Sequence, residues 1–429
     1  MKSYQEMTRE ELLNERNRLS GLYEETKAKG LKLDMSRGKP GADQLNLSMG
    51  MMDALSSEVA LTGIQGVDCR NYGVLDGIIE AKQLLAQMTE VPVDNIIIYG
   101  NSSLNVMFDT VAHAYSKGIC GNKPWCAYEE PVKFLCPVPG YDRHFAITEY
   151  FGIEMINIPM NEDGPDMDLV EEYVNNDPLV KGIWCVPKYS NPQGIVYSDQ
   201  VVRRFAALNP AADDFRIFWD NAYCIHHLDF DDKCEILEIL HECEKAGHPD
   251  MVYKFCSTSK VTFPGSGIAA MGTSKTNIAD MKKQMTVQTI GHDKVNQLRH
   301  VKFFGDYNGM IEHMKKHAAI LKPKFQAVLD ILSEELDGLE IGTWMNPKGG
   351  YFISFESLDG CAKEIVEKTK EAGVVMTGAG ATYPYHKDPK DSNIRIAPSY
   401  PSLEDLKAAT RVFALSVKLV SADKILESK

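Results

Sequence analysis

The chain has 429 residues, 44% hydrophobic and 25% charged, enough for two or three globular domains with a large core. Its net charge of −14 argues against nucleic-acid binding through a general positive field, but leaves room for a local basic pocket that holds an anion. No run of 18 apolar residues exists to cross a membrane, and the N-terminal stretch lacks the apolar core of a signal peptide. The ten cysteines are scattered and form no C-x-x-C pair, which points to reduced thiols and a cytoplasmic protein.

In chain order, residues 7–29 have the pattern of a charged amphipathic helix, and residues 30–50, rich in Gly and Pro, are expected to be extended. Asn95–Tyr99 has the pattern of a buried strand. Gly100-Asn101-Ser102-Ser103 follows it, and then Leu104, Met107, Phe108, Val111, Ala112 and Tyr115 fall on one helix face. Further strands are expected at Trp125–Tyr128, Gly182–Val186, Phe215–Trp219, Val252–Cys256 and Ile268–Gly272. This alternation predicts an α/β fold: a mostly parallel central sheet flanked by helices. From Gly309 to Leu336 a long helical pattern contains Pro323, which is expected to end or kink it. After it come a strand entered through Gly349-Gly350, a helix near 360–372 and a last helix at 402–420, the outline of a smaller α+β domain. The expected division is 1–47 as an N-terminal arm and part of the small domain, 48–320 as the large domain, and 321–429 as the small C-terminal domain.

The residues that carry chemistry lie between these elements. Ser257-Thr258-Ser259-Lys260 follows an apolar run, and Asp220, 40 positions earlier, ends another. A lysine on a small-residue loop and an aspartate at a neighbouring strand end suit pyridoxal 5′-phosphate: the amine forms a Schiff base with the aldehyde, and the carboxylate keeps the ring nitrogen protonated. Taken singly, a lysine such as Lys260 is more often a solvated surface residue, and Asp220 reads as readily as a helix N-cap. Ser102 and Ser103, between strand and helix, suit a phosphate at a helix N-terminus or a plain cap. Tyr189-Ser190-Asn191-Pro192-Gln193-Gly194 reads as a turn, and at the C-terminal edge of a parallel sheet Asn191 could meet a ligand. Arg395, in Asn393-Ile394-Arg395-Ile396-Ala397, either snorkels or pairs with an anion, and its planar fork suits a carboxylate.

The order of these motifs, a Ser-rich turn, Asn-Pro-x-Gly, Asp-x-x-Tyr, Ser-x-x-Lys and a late Arg, resembles the class I/II aminotransferases of the fold type I pyridoxal-phosphate enzymes, across roughly residues 30–420. Ser-Lys-Val-Thr-Phe-Pro-Gly and Ser-Arg-Gly-Lys-Pro are similar to the divergent bacterial aspartate aminotransferase subgroup. The resemblance implies Lys260 as the Schiff-base lysine and proton carrier, Asp220 as the ring-nitrogen partner, and Tyr223 and Asn191 beside the cofactor's phenolic oxygen. It implies Ser102, Ser103 and Ser257 as phosphate ligands and Tyr141 as the aromatic residue stacked on the ring. Tyr72 corresponds to the tyrosine that reaches the phosphate of a neighbouring subunit, which implies a homodimer with shared active sites. Arg395 corresponds to the grip on the substrate α-carboxylate, and Gly38 to the backbone near it. The implied substrates are an L-amino acid, aspartate or a similar small or acidic one, and a 2-oxo acid such as 2-oxoglutarate; no metal is implied. One departure stands out: many members carry a phosphate-binding arginine where this chain has Gly267.

Two rivals are weighed against this. A fold type I β-lyase shares the electron sink, although an arginine that retains the α-carboxylate disfavours decarboxylation. A non-catalytic regulator on the same fold would need a DNA-binding domain, and only about 30 residues precede Ser36-Arg37-Gly38-Lys39-Pro40. For an acidic side chain a second cation is needed, with Arg37, Arg143 and Arg299 as candidates.

Overall fold

A computed structural model describes residues 2–429. Its centre is an eight-stranded sheet in the order Ile96–Ile98, Ala269–Gly272, Val252–Ser257, Arg216–Asp220, Val180–Cys185, Lys133–Val138, Glu154–Asn161, Gly164–Pro165. The four pairings from Val252–Ser257 across to Glu154–Asn161 are parallel, while Ala269–Gly272 runs antiparallel to both its neighbours. The inner strands read as continuous apolar runs because both faces are covered: every residue of Val180–Cys185 and Arg216–Asp220 is buried. Since Ile96–Ile98 is two antiparallel steps from Val252–Ser257, the two run the same way. Six strands therefore end on one edge, and the loops carrying Ser102, Tyr141, Asn191, Asp220 and Lys260 leave from five of them.

A second, smaller sheet is antiparallel: Gly342–Trp344, Ile353–Ser357 and Asn393–Ile396, with Arg395 opposite Ser354. Its core also takes in the first helix (Leu12, Leu19, Tyr23), the long helix (Leu321, Phe325, Val328, Leu332) and the last helix (Phe413, Val417, Val420). Leu33–Asp34 pairs in parallel with Val374–Val375, so the N-terminal segment is stitched to the C-terminal third. The first helix, Arg9–Ala28, opens with a capping box in which Thr8 and Glu11 exchange hydrogen bonds, worth about 1 kcal/mol.

Several sequence expectations are corrected here. Pro323 does not end its helix, which runs from Tyr307 to Leu336. An interior proline costs about 3 kcal/mol. The buried Leu321, Phe325, Val328 and Leu332, on both sides of it, each return about 1.5–3 kcal/mol, so packing overrides the break. Residues 30–50 are not extended throughout: Gln44 turns back to the Gly41 N–H at 3.2 Å and starts a short helix, Ala42–Asn46, followed by a 3-10 turn at Met49–Met52. Trp125–Tyr128 is no strand but a 3-10 turn, Trp125–Ala127, whose apolar character is one anchor: Trp125 is buried and its indole N–H donates to Asp214 at 2.8 Å. Two of the central sheet's parallel strands were not anticipated. Lys133–Val138 contains Pro137, a residue usually excluded from central strands; it is tolerated because pairing to Val180–Cys185 stops at Leu135, so the proline has a partner strand on one side only. Glu154–Asn161 alternates in burial and lies near the sheet's edge.

Candidate active site

A cavity of about 160 Å³ opens at the shared strand edge, lined by Ser102, Ser103, Tyr141, Asn191, Asp220, Tyr223, Ser257 and Lys260 among others. Eight of the residues singled out in the sequence thus meet in one place. The Lys260 loop is pinned from below: the Thr258 Oγ1 accepts from the Ile268 N–H at 2.9 Å, the Thr258 carbonyl accepts from Val261 and Thr262, and the Tyr351 hydroxyl donates to the Lys260 carbonyl at 3.3 Å. The Lys260 Nζ stands 4.8 Å from the centre of the Tyr223 ring and 5.9 Å from that of Tyr351. Burial pushes the Tyr223 hydroxyl well up and that of Tyr141 up to about 12, so both are protonated donors at neutral pH.

Asp220 is 2% exposed and uses half of its carboxylate. Oδ2 meets His144 Nε2 at 2.9 Å, while Oδ1 has no partner in the protein. His144 stacks on Trp184, with ring centres 4.5 Å apart, which fixes the imidazole that holds the aspartate. A buried acceptor without a donor is costly; a protonated pyridine nitrogen is the kind of group it lacks. His144 was missed in the sequence because the strand before it was missed; on the helix Asp142–Tyr150 it lies one turn from Tyr141, a spacing that would have marked it.

The phosphate end is built from backbone and hydroxyls. Ser102 is the N-cap of the helix Ser103–Lys117, yet its side chain makes no capping bond, so the plain-cap reading does not account for it. Ser257 Oγ donates to Ser259 Oγ at 3.1 Å, and Ser259 Oγ donates to the Asn101 carbonyl at 2.9 Å, tying the two Ser-rich loops together. A Cβ at Gly267 would lie 3.1–3.3 Å from Thr258 Oγ1, Ser259 N and Asn101 O, so the glycine permits the close approach of these loops. No arginine is among the described residues lining the cavity. Arg299 donates to Asn296, whose amide holds the Ser266 and Gly267 carbonyls, a bracing role; Arg37 and Arg143 are exposed. The chemistry of the donor set, a free helix N-terminus with several hydroxyls, fits a phosphate ester.

Arg395 is 8% exposed. Its Nη1 donates to Asp142 Oδ1 at 3.0 Å and Asn191 Oδ1 at 3.2 Å, Nη2 reaches Thr377 Oγ1 at 3.4 Å, and Nε has no partner. The guanidinium lies 4.7 Å from the centre of the Phe352 ring. The tip of that ring occupies the space a side chain at Gly38 would need, since a Cβ there would fall 2.1 Å from it. Asp142, Thr377 and Phe352 were not read from the sequence; nothing in their local pattern connects them to Arg395. Tyr72 does not line the cavity of its own chain, and it is 81% exposed.

The sheet and the groups along its edge define an enzyme of the fold type I class. The family model described as aspartate amino-transferase matches residues 7–429, and the chain belongs to that family. An aspartate aminotransferase of Corynebacterium glutamicum is 46% identical over 405 residues, 94% of this chain and 92% of that one. The crystal structure of an aspartate transaminase from the same organism superposes with a TM-score of 0.95 at 44% identity, covering 99% of both chains. An α-aminoadipate aminotransferase of Thermus thermophilus, 17% identical, shares the fold with a TM-score of 0.74 over 93% of this chain and 95% of that one.

Proposed function

We propose that this protein is a pyridoxal 5′-phosphate-dependent aminotransferase that moves an amino group between an L-amino acid, aspartate or a similar small or acidic one, and a 2-oxo acid such as 2-oxoglutarate. The observation that carries the reading is the unpartnered, buried Asp220 Oδ1 in the same cavity as Lys260. The bound cofactor supplies an electron sink that makes the substrate Cα–H acidic. Ser102, Ser103, Ser257 and the helix N-terminus would hold its phosphate, Tyr141 would pack on its ring, and Tyr223 and Asn191 would donate to its phenolic oxygen. Arg395 holds the substrate α-carboxylate and so aims Cα–H at Lys260, and orientation is a large part of the rate. The Lys260 amine, lining the same cavity, is the base that would take that proton at Nζ and hold it for return. Because the second substrate reverses these steps, the kinetics are ping-pong. The ten unpaired cysteines support a reducing compartment, the cytoplasm. A panel of amino donors with 2-oxoglutarate as acceptor, read by 2-oxo acid production, tests the substrate class; no turnover of any small or acidic donor would overturn it.

Arg395→Lys keeps the charge and loses the fork. Charge-assisted hydrogen bonds are worth roughly 1.5–3 kcal/mol, so kcat/KM for amino acids should fall at least about tenfold. Simple amines, which lack the carboxylate, should be turned over at their slow rate unchanged. Wild-type rates on amino acids in this variant would mean that the carboxylate is held elsewhere.

The exposed Tyr72 is explained if it completes a second chain's phosphate site, making the enzyme a homodimer with shared sites. Mixing Tyr72→Phe chains with Lys260→Ala chains should then restore activity, because one site of each hybrid carries both lesions and the other carries neither. Full activity in a species that sediments as a monomer would refute shared sites.

A further inference from the structure

The ion pair between Asp142 and Arg395 occupies the very group proposed to hold substrate. Asp142 is the first residue of the helix Asp142–Tyr150, where the helix N-terminus favours a negative charge, and its side chain is 27% exposed against 8% for Arg395. The guanidinium is otherwise boxed in by neutral partners: Asn191 Oδ1, Thr377 Oγ1 and the Phe352 ring. Thr377 is itself oriented, since its hydroxyl donates to the Ser36 carbonyl at 2.8 Å and so presents a lone pair to Nη2. Asp142 is thus the one anion paired with this buried cation among the described residues.

We infer that Asp142 is a standing competitor for Arg395, the anion against which every substrate α-carboxylate is weighed, and hence a residue that sets substrate affinity. This rests on the reading of Arg395 as the carboxylate site. Both Nη1 hydrogens are spent, one on Asp142 and one on Asn191. An incoming carboxylate either takes Nη1 from Asp142 or binds along the edge shared by Nη2 and Nε, beside Asp142. On both routes it meets a like charge at close range, which weakens its hold. The arrangement suits a two-step exchange. Each half-reaction ends by releasing a product that carries the same α-carboxylate as its substrate, and uniform tight binding of that group would not speed the chemistry. In the empty site the same carboxylate neutralises a guanidinium that would otherwise be buried unpaired, a costly state.

Asp142→Asn keeps the shape and an acceptor for Nη1 and removes only the charge. In the holoenzyme it should lower KM for the amino acid and for the 2-oxo acid by a similar factor, about fivefold or more, without raising kcat. Calorimetric binding of succinate, a non-reacting carboxylate, should tighten by the same factor, and Asp142→Glu, which restores the charge, should return it towards wild type. A merely structural role would instead lower the melting temperature and loosen binding, and that result overturns the inference. The double variant Asp142→Asn/Arg395→Ala separates the two levels. If Arg395→Ala alone weakens succinate and Asp142→Asn tightens it only when Arg395 is present, the inference stands. If Arg395→Ala weakens succinate but Asp142→Asn does not tighten it, the carboxylate site stands and the competitor role falls. If Arg395→Ala leaves succinate binding unchanged, the carboxylate reading fails and takes this inference with it.

Discussion

Lys260→Ala is expected to lower kcat by at least about 10³-fold, because one amine both anchors the cofactor and moves the Cα proton. It should still take up pyridoxal phosphate: the hydroxyls of Ser102, Ser103 and Ser257 and the Asp220 carboxylate line the cavity independently of the lysine. The visible absorbance of a lysine-bound cofactor should vanish, and borohydride reduction of the unaltered enzyme followed by peptide mapping should place the adduct on Lys260. Lys188 is the control that gives this experiment its edge. It is 6% exposed, and burial pushes its ammonium pKa down, so it is the other lysine with a claim to amine reactivity. It does not line the Lys260 cavity. An adduct on Lys188 would move the active site to a different face of the same loops.

The parts of this site legible in the sequence share a property: each sits at the end of an element whose apolar run is self-evident. Asp220 closes Arg216–Asp220, Ser257 closes Val252–Ser257, and Ser102 follows Ile96–Ile98. Where the run was disguised, Tyr141 was placed by resemblance alone and its neighbours Asp142 and His144 were not read. Pro137 concealed the Lys133–Val138 strand, and with it the reason that Tyr141, Asp142 and His144 lie on the sheet's functional edge. The partners of Arg395 were out of reach for a different cause. Asp142 is 253 residues away in sequence and Asn191 is 204, and pairing at that distance is decided by how the two sheets are set against each other. The long helix shows the same limit from the side of stability, since Pro323 is a strong local signal that loses to burial on both flanks. The Gly-Gly entry at 349–350 was read as a strand start, but the strand begins at Ile353. Gly349 lies against the Tyr189 ring, where a Cβ would fall 2.4 Å from it, and Gly350 has φ of +83°. These glycines set the loop before Asn191 against the segment that carries Phe352, just ahead of the strand Ile353–Ser357, a tertiary purpose that no local pattern announces.

Asp220→Asn is expected to cost nearly as much as loss of the lysine, a fall in kcat of about 10³-fold by the usual scale of a missing proton-holding group. In the unaltered protein Oδ2 is engaged by His144 and Oδ1 is free and buried, so one oxygen of this carboxylate is left for whatever enters the cavity. In a site this dry a carboxylate beside a basic ring nitrogen favours the protonated form strongly. An amide has no charge to do so, and the ring then loses its pull on Cα electrons while its phosphate contacts persist. Cofactor affinity should therefore drop much less than turnover, which equilibrium dialysis against pyridoxal phosphate would measure. Asp220→Ala offers the sharper test because it also leaves room. A cofactor analogue methylated on the ring nitrogen carries its positive charge permanently and needs no aspartate, so it should recover part of the lost rate in Asp220→Ala and none in Lys260→Ala. If the analogue rescues neither variant while binding both, Asp220 serves to position the ring through His144 rather than to hold its proton. His144→Ala with normal cofactor would then show a loss as large as that of Asp220→Asn.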